Sequence, residues 1–156
     1  MKHISLMLFA VLICACTQQK QKETALQPAL KPAMHVTPCD SNLLSQLEGT
    51  KNVTSYQVFQ YLTTFEKLDA NVNPECNYRR FKILFSLLDT HTNTFLQKLD
   101  EVSPQAKQNV LKLISIAQIK EGDVRRLSEK VTTAEAQPKT KSEMLVTLIK
   151  SLGQHE

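Results

Sequence analysis

Residues 81–102 read FKILFSLLDTHTNTFLQKLDEV, and apolar side chains recur through them with helical spacing. Phe81, Leu88, Phe95 and Val102 stand at seven-residue intervals, with Leu84, Phe85, Leu96 and Leu99 beside them. A repeat of this kind buries one helical face against other helices. It predicts a helix from about Asn77. Residues 90–94, THTNT, have poor helix propensity and predict a kink or break within it.

Two further helices are expected before this stretch. Asp40 or Ser41 can cap a helix that Gly49 ends, and Thr54 followed by Gln57 has the spacing of a capping box. The second helix should continue to residues 71–74. Its expected buried residues are Val58, Phe59, Tyr61, Leu62, Phe65 and Leu68; those of the first are Leu43, Leu44 and Leu47.

The chain after residue 102 repeats the same pattern. Ser103-Pro104 is a typical helix start, and residues 121–123, Glu-Gly-Asp, either end or interrupt that helix before Pro138 stops it. A last helix is expected from Thr140 to Gly153. The inner faces are Val110, Leu111, Ile114, Ala117, Val124, Leu127 and Val131, then Met144, Leu145, Leu148, Ile149 and Leu152. Residues 39–156 are therefore predicted to form one all-α domain, a small bundle of five or six helices.

The N-terminus has the organisation of a secretory signal peptide. Lys2 and His3 precede an apolar stretch at residues 4–13, which is broken only by Ser5 and ends next to Cys14-Ala15-Cys16. A membrane-spanning helix needs about 20 residues, so this stretch is too short to span. Residues 1–15 are predicted to be removed as a signal peptide.

The end of this segment resembles the lipobox of bacterial lipoproteins, because Ile13, Cys14 and Ala15 directly precede Cys16. The resemblance implies that Cys16 carries a diacylglycerol and anchors the mature chain in a membrane. In Gram-negative bacteria the residue after the lipidated cysteine directs sorting, and Thr17 in place of aspartate implies the outer membrane, facing the periplasm. A plain signal peptide or a buried apolar helix is the alternative interpretation.

Residues 16–38 are predicted to be a lipidated, disordered tether. The stretch from Thr17 to Pro38 is rich in Gln, Lys and Pro, and it contains neither glycine nor an aromatic residue. Such a composition cannot bury enough apolar surface to fold. As a semi-extended spacer it would span roughly 25 to 70 Å and let the domain stand off the membrane.

Cys39 and Cys76 are the two cysteines of the predicted domain. In an oxidising periplasm such a pair usually forms a disulfide, which would close a loop of about 38 residues and stabilise the fold by about 4 kcal/mol. Two unrelated buried thiols are the alternative.

Catalytic and metal-binding patterns are not evident in the sequence. Of four histidines only His91 lies inside the predicted helices, and each of the three glycines stands at an expected helix end. A catalytic triad or a histidine metal site needs partner residues that the predicted helices lack, and a phosphate loop needs several glycines close together. Neighbouring carboxylates such as Asp100 and Glu101 point in different directions on a helix. We therefore expect no enzyme activity, no cofactor and no metal.

The charge of the chain is mildly basic. Its 19 Lys and Arg against 15 Asp and Glu give +4, and removal of Lys2 with the signal peptide leaves 18 against 15, or +3. This balance is too weak for a nucleic-acid partner. The arginine pairs 79–80 and 125–126 suit lipid phosphates, peptidoglycan, an acidic partner or plain solvent.

These features favour a tethered binding adaptor that holds an amphipathic helix of a partner between its own helices. The organisation resembles that of the helical pilotins, outer-membrane lipoproteins that escort secretin subunits. The resemblance implies a secretin or other envelope assembly component as partner, and it carries over no binding residues. The alternatives are an envelope lipoprotein that regulates a sensor or blocks an incoming toxin or conjugation system, and a structural lipoprotein. An adaptor should expose an apolar groove, whereas a blocking protein should present a charged face.

Overall fold

The computed structural model describes residues 39–50, 52–67 and 73–152, and these form an all-α domain. Its elements are α1 (Ser41–Leu47), α2 (Ser55–Thr63), a 3-10 turn (Thr64–Glu66), α3 (Pro74–Thr90), α4 (Thr92–Glu101), α5 (Pro104–Ser115), α6 (Glu121–Thr133) and α7 (Pro138–Leu152). The fold class is as predicted, but the described part contains seven helices rather than five or six. The predicted signal peptide and tether, with Cys16, lie outside the described residues.

Three predicted helix starts are confirmed, because each uses a side-chain cap close in sequence. The Asp40 carboxylate accepts hydrogen bonds of 3.0 Å from the amides of Asn42 and Leu43. Thr54 and Gln57 form both halves of a capping box at the start of α2. Ser103 accepts a hydrogen bond from the amide of the third residue of α5. Such caps satisfy amides that have no partner inside the helix.

The break predicted at residues 90–94 is confirmed at His91. This residue has φ −130° and ψ 38°, so α3 ends before it and α4 begins after it. The hydroxyl groups of Thr90 and Thr92 each donate to a carbonyl one turn earlier, at 2.7 Å. Hydroxyl groups that compete in this way for backbone acceptors weaken a helix.

Other predicted boundaries are wrong. The expected second helix ends at Thr63, and the 3-10 turn follows it directly. Leu68 and residue 71 lie outside the described residues. Residues 121–123 do not end a helix. Glu121 and Asp123 lie in the first turn of α6, where their negative charges interact favourably with the positive end of the helix dipole. Pro138 begins α7 because proline suits a first turn, and Thr140 is buried within that helix.

A continuous apolar core joins all seven helices of the described part. α2 packs on α4, and both α5 and α6 pack on α7. The largest fully buried side chains are Tyr61, Phe65, Phe95, Leu62, Leu84, Leu87, Leu88, Leu96, Leu99, Ile114, Met144 and Leu148. Most predicted inner-face residues are therefore buried. Two predictions are wrong, since Phe81 is 36% exposed and Ile149 is 63% exposed.

The 3-10 turn is held by polar side chains that the sequence does not mark as buried. Asn109 donates from Nδ2 to the Phe65 carbonyl at 2.8 Å, which ties α5 to the turn. The Arg80 guanidinium lies 4.3 Å above the centre of the Phe65 ring and donates to the Thr64 carbonyl at 3.1 Å. Burial lowers the pKa of Arg80. Arginine placed over an aromatic face is attracted by the ring electrons.

The Cys39–Cys76 disulfide is present, with 6.0 Å between the two Cα atoms. It fixes Cys39, which precedes the N-cap residue of α1, to the first turn of α3. An ion pair reinforces this connection, because the Arg79 Nη2 atom lies 2.8 Å from the Glu48 Oε2 atom. The N-terminal end of the described domain is therefore attached to α3 covalently as well as by packing.

Candidate partner-binding groove

An open groove of about 310 Å³, with both apolar and charged lining, lies between α3 and α6. Its apolar lining consists of Phe81 and Phe85 from α3, Ile119 from the connection before α6, and Leu127 from α6. The two phenyl rings are tilted by 55°, with their centres 4.8 Å apart. Phe81 is exposed and Phe85 is half-buried, so an aromatic pair faces solvent in a folded domain.

The groove exists because α6 covers only part of α3. The two helices are joined near the C-terminal end of α3, where Asp89 forms ion pairs with Arg126 and Lys130. Leu88 is buried close to this junction, whereas Phe81 lies two turns earlier and remains exposed. A seven-residue repeat identifies side chains that share a helix face. It does not tell how far along the helix a neighbour extends.

A charged cluster closes one end of the groove. Asp89 accepts hydrogen bonds from Arg126 and from Lys130, the latter at 2.5 Å, and Lys130 also donates to the Asp89 carbonyl at 2.7 Å. Arg126 donates to Asp123 at 2.9 Å. Burial of Asp89 opposes its ionisation, but the bonds from Lys130 and Arg126 outweigh this and lower its pKa. The groove thus joins an apolar floor to a fixed group of charges.

A second depression, of about 550 Å³, is polar. It is lined by Gln97, Asp100, Glu101, Glu135, Ala136 and Gln137. Asp100 pairs with Lys107 at 3.1 Å and Glu101 with Lys98 at 2.6 Å. Gln97 donates to the Glu135 carbonyl at 2.9 Å and so holds the connection between α6 and α7 against α4. Much of this polar lining is therefore already engaged within the domain.

His91 lines a third depression, of about 450 Å³, together with the neighbouring threonines and Lys130. Among the described residues no group of His, Cys, Asp and Glu side chains is arranged to hold a metal ion. His91 acts in the structure as the residue that separates α3 from α4.

The arginine pairs have separate structural roles, which the sequence did not distinguish. Arg79 binds Glu48 through two hydrogen bonds, of 2.9 and 2.8 Å, while its neighbour Arg80 is buried. Arg126 belongs to the charged cluster, and Arg125 pairs with Glu121 at 3.5 Å on an exposed surface. The two members of each pair therefore make different contacts within the domain.

The groove-lining role of Phe81 could not be found from helical spacing, which assigns it to the core. In the part of the chain that the structure describes, no helix combines the length and apolar character needed to cross a membrane. Comparison of the chain with protein-family models, with curated proteins and with solved structures found no match.

Proposed function

We propose that this protein is a lipid-anchored adaptor of the bacterial envelope, which binds an amphipathic helix of a partner in the groove between α3 and α6. The observation that carries the proposal is the pair of exposed Phe81 and half-buried Phe85 in the lining of the groove. Helix-in-groove recognition uses apolar side chains spaced by three or four residues on the bound helix. Phe81 and Phe85 offer contact points of the same spacing.

The charged end of the groove supports a defined orientation of that helix. Arg126 and Lys130 are each more than 40% exposed at the side chain, although both also contact Asp89. A partner carboxylate could therefore approach either cation from the solvent side. Charge complementarity of this kind fixes register and accelerates association more than it increases affinity.

The membrane anchor of the proposal rests on the lipobox resemblance at residues 13–16. The tether at residues 17–38 would let the groove search the periplasm for a partner while Cys16 stays in the outer membrane. The resemblance to pilotins suggests that this partner is a secretin or another subunit of an envelope assembly.

The test is site-specific photocrosslinking in cells that carry the lipidated chain. A photoreactive amino acid replaces Ser86, which lines the groove and is exposed. We expect crosslinks to one outer-membrane assembly subunit, and we expect that subunit to lose its outer-membrane location when Cys16→Ala removes the anchor.

Phe81→Glu should abolish these crosslinks, because it places a charge in the apolar lining. Tyr78→Glu is the matched control, since Tyr78 is 69% exposed on the same helix and does not line the groove. Crosslinks to a sensor, toxin or conjugation component would overturn the adaptor proposal in favour of a regulatory or blocking function. Equal loss in both variants, or crosslinks only to abundant porins, would also overturn it.

A further inference from the structure

The helix α7 departs from a simple amphipathic pattern, although Met144 and Leu148 on its inner side are fully buried. Three hydroxyl residues lie on its buried side, where Thr140 is 1% exposed, Thr147 7% and Ser151 0%. On its outer side Val146 is 49% exposed and Ile149 63%. A helix that meets only water on its outer side has the opposite distribution.

All three buried hydroxyl groups on α7 have hydrogen-bond partners within the domain. Thr147 donates to the Glu143 carbonyl at 2.7 Å, and Ser151 donates to the Leu148 carbonyl at 2.6 Å. Thr140 accepts from Lys107 at 2.6 Å. Val146 and Ile149, by contrast, each leave about half or more of their surface exposed. They form a strip with the half-buried Leu145 and Leu152, defined here as the α7 strip.

The charges of α7 are also divided between its two sides. Its acidic residue, Glu143, forms an ion pair with Lys107 of α5 at 2.9 Å, and Lys141 donates to backbone carbonyls at the end of α6. Burial opposes the charge of Lys107, but the hydrogen bonds that Lys107 donates to Glu143 and Asp100 outweigh burial and raise the pKa of Lys107. The carboxylate of the helix is therefore engaged within the domain.

Lys139 and Lys150 remain beside the α7 strip. The Lys139 Nζ atom lies 4.0 Å from the Glu143 Oε1 atom, but the Lys139 side chain is 85% exposed and can also meet a partner. Lys150 is exposed near the other end of the helix. Eleven residues at 1.5 Å each separate them by about 16 Å along the helix axis. An aliphatic strip with basic side chains at its margin is typical of helices that lie in a membrane interface.

We infer that the α7 strip docks on a bilayer that contains anionic lipids, with Val146 and Ile149 entering the interface and Lys139 and Lys150 near the phosphates. Long lysine side chains can reach the headgroups while the aliphatic residues are buried. A second copy of the chain fits less well, because a two-fold dimer would bring the lysines beside the α7 strip of one copy close to the same lysines of the other copy. This surface is separate from the groove and does not depend on the proposed adaptor function.

The test uses the unlipidated chain from Thr17 to Glu156, which contains every described residue. Its flotation is measured with vesicles of phosphatidylglycerol and phosphatidylethanolamine, and with vesicles of phosphatidylcholine alone. We expect binding only to the anionic vesicles, and we expect that binding to weaken as salt increases. Val146→Glu with Ile149→Glu should reduce it by at least about tenfold, since two exposed aliphatic side chains no longer enter the interface.

Lys139→Gln and Lys150→Gln form a second, independent set, each expected to reduce vesicle binding by about fivefold. Tyr78→Glu controls for added charge, and Phe81→Glu should lose the adaptor crosslinks but keep vesicle binding. Circular dichroism and the urea midpoint confirm that each variant is folded. The inference would be overturned by equal binding to neutral and anionic vesicles, or by no binding to either kind. It would also be overturned if neither the glutamate variants nor the glutamine variants changed the binding, or if the wild type formed a dimer that Val146→Glu with Ile149→Glu abolished.

Discussion

Removal of the Cys39–Cys76 disulfide should destabilise the domain by an amount that follows from its position. The change is the double substitution Cys39→Ala and Cys76→Ala, which deletes the covalent link between the start of α1 and the first turn of α3. The two cysteines are 37 positions apart, so the link closes a loop of about 38 residues in the unfolded chain. The chain-entropy relation gives about 4 kcal/mol for such a loop at 25 °C.

The remaining attachments of α1 indicate where this loss should appear first. Leu43, Leu44 and Leu47 are buried, and they hold α1 against the core when the link is absent. The Arg79–Glu48 pair lies on the surface, where ion pairs contribute little. We therefore expect α1 to remain docked in the native state but to exchange its amide hydrogens faster than α4 or α7 in the variant.

Urea unfolding of the oxidised domain is the appropriate assay. With a slope of about 2 kcal/mol per molar urea, a loss of about 4 kcal/mol lowers the midpoint by about 2 M. Wild-type protein in reductant should give the same midpoint as the double variant, because both lack the link. A midpoint in the variant within about 0.3 M of the oxidised wild type would refute the loop-closure argument.

Substitutions at three further residues test the polar contacts. Asp89→Asn should lower the free energy of unfolding by about 1 kcal/mol at pH 7. Because the pKa of folded Asp89 lies below its unfolded value of about 3.9, this difference should disappear as the pH falls through the folded pKa. Urea midpoints of the wild type and the variant at pH 7 and at pH 2.5 measure the difference at each pH. Asn109→Ala should lower stability by about 2 kcal/mol, because it leaves the Phe65 carbonyl without its donor; thermal unfolding measures this, with exposed Gln108→Ala on the same helix as control. Arg80→Met removes the cation above Phe65 and the donor to the Thr64 carbonyl but keeps most of the packing, so it should cost about 1 to 2 kcal/mol. Arg80→Ala also leaves a cavity and should cost about 3 to 4 kcal/mol; equal losses in the two variants would contradict a packing contribution.

The features that the sequence predicted best depend on residues close to one another in the chain. Asp40, Thr54 and Ser103 cap helices through amides two or three residues away, so their roles need no knowledge of the tertiary fold. The break at His91 has the same local origin. Pro138 is different, because a proline can follow one helix or open the next, and only its surroundings select the second.

The features that the sequence missed depend on which helix covers which. Arg80 and Arg79 are adjacent in sequence, yet one is buried over Phe65 and the other pairs with Glu48 on the surface. Phe81 has the spacing of a core residue and becomes groove lining because α6 joins α3 two turns further on. Neither outcome is contained in helical periodicity.

One sequence signal could nevertheless have identified α7 as unusual. Met144, Leu145, Val146, Leu148, Ile149 and Leu152 together cover about 200° of the helix circumference, whereas a surface helix in water typically needs an apolar stripe little more than about 100° wide. One neighbouring layer cannot bury so wide a surface, and the structure buries only the side that carries Met144 and Leu148. The side that carries Val146 and Ile149 is then either an apolar surface left in contact with water or a surface that binds a second partner. Because Glu143 is engaged by Lys107 while Lys139 and Lys150 are not buried, the charges beside that surface favour an anionic partner. An apolar arc wider than one contact can cover is thus a signal, present in the residue spacing alone, that supports the proposed docking of α7 on a membrane.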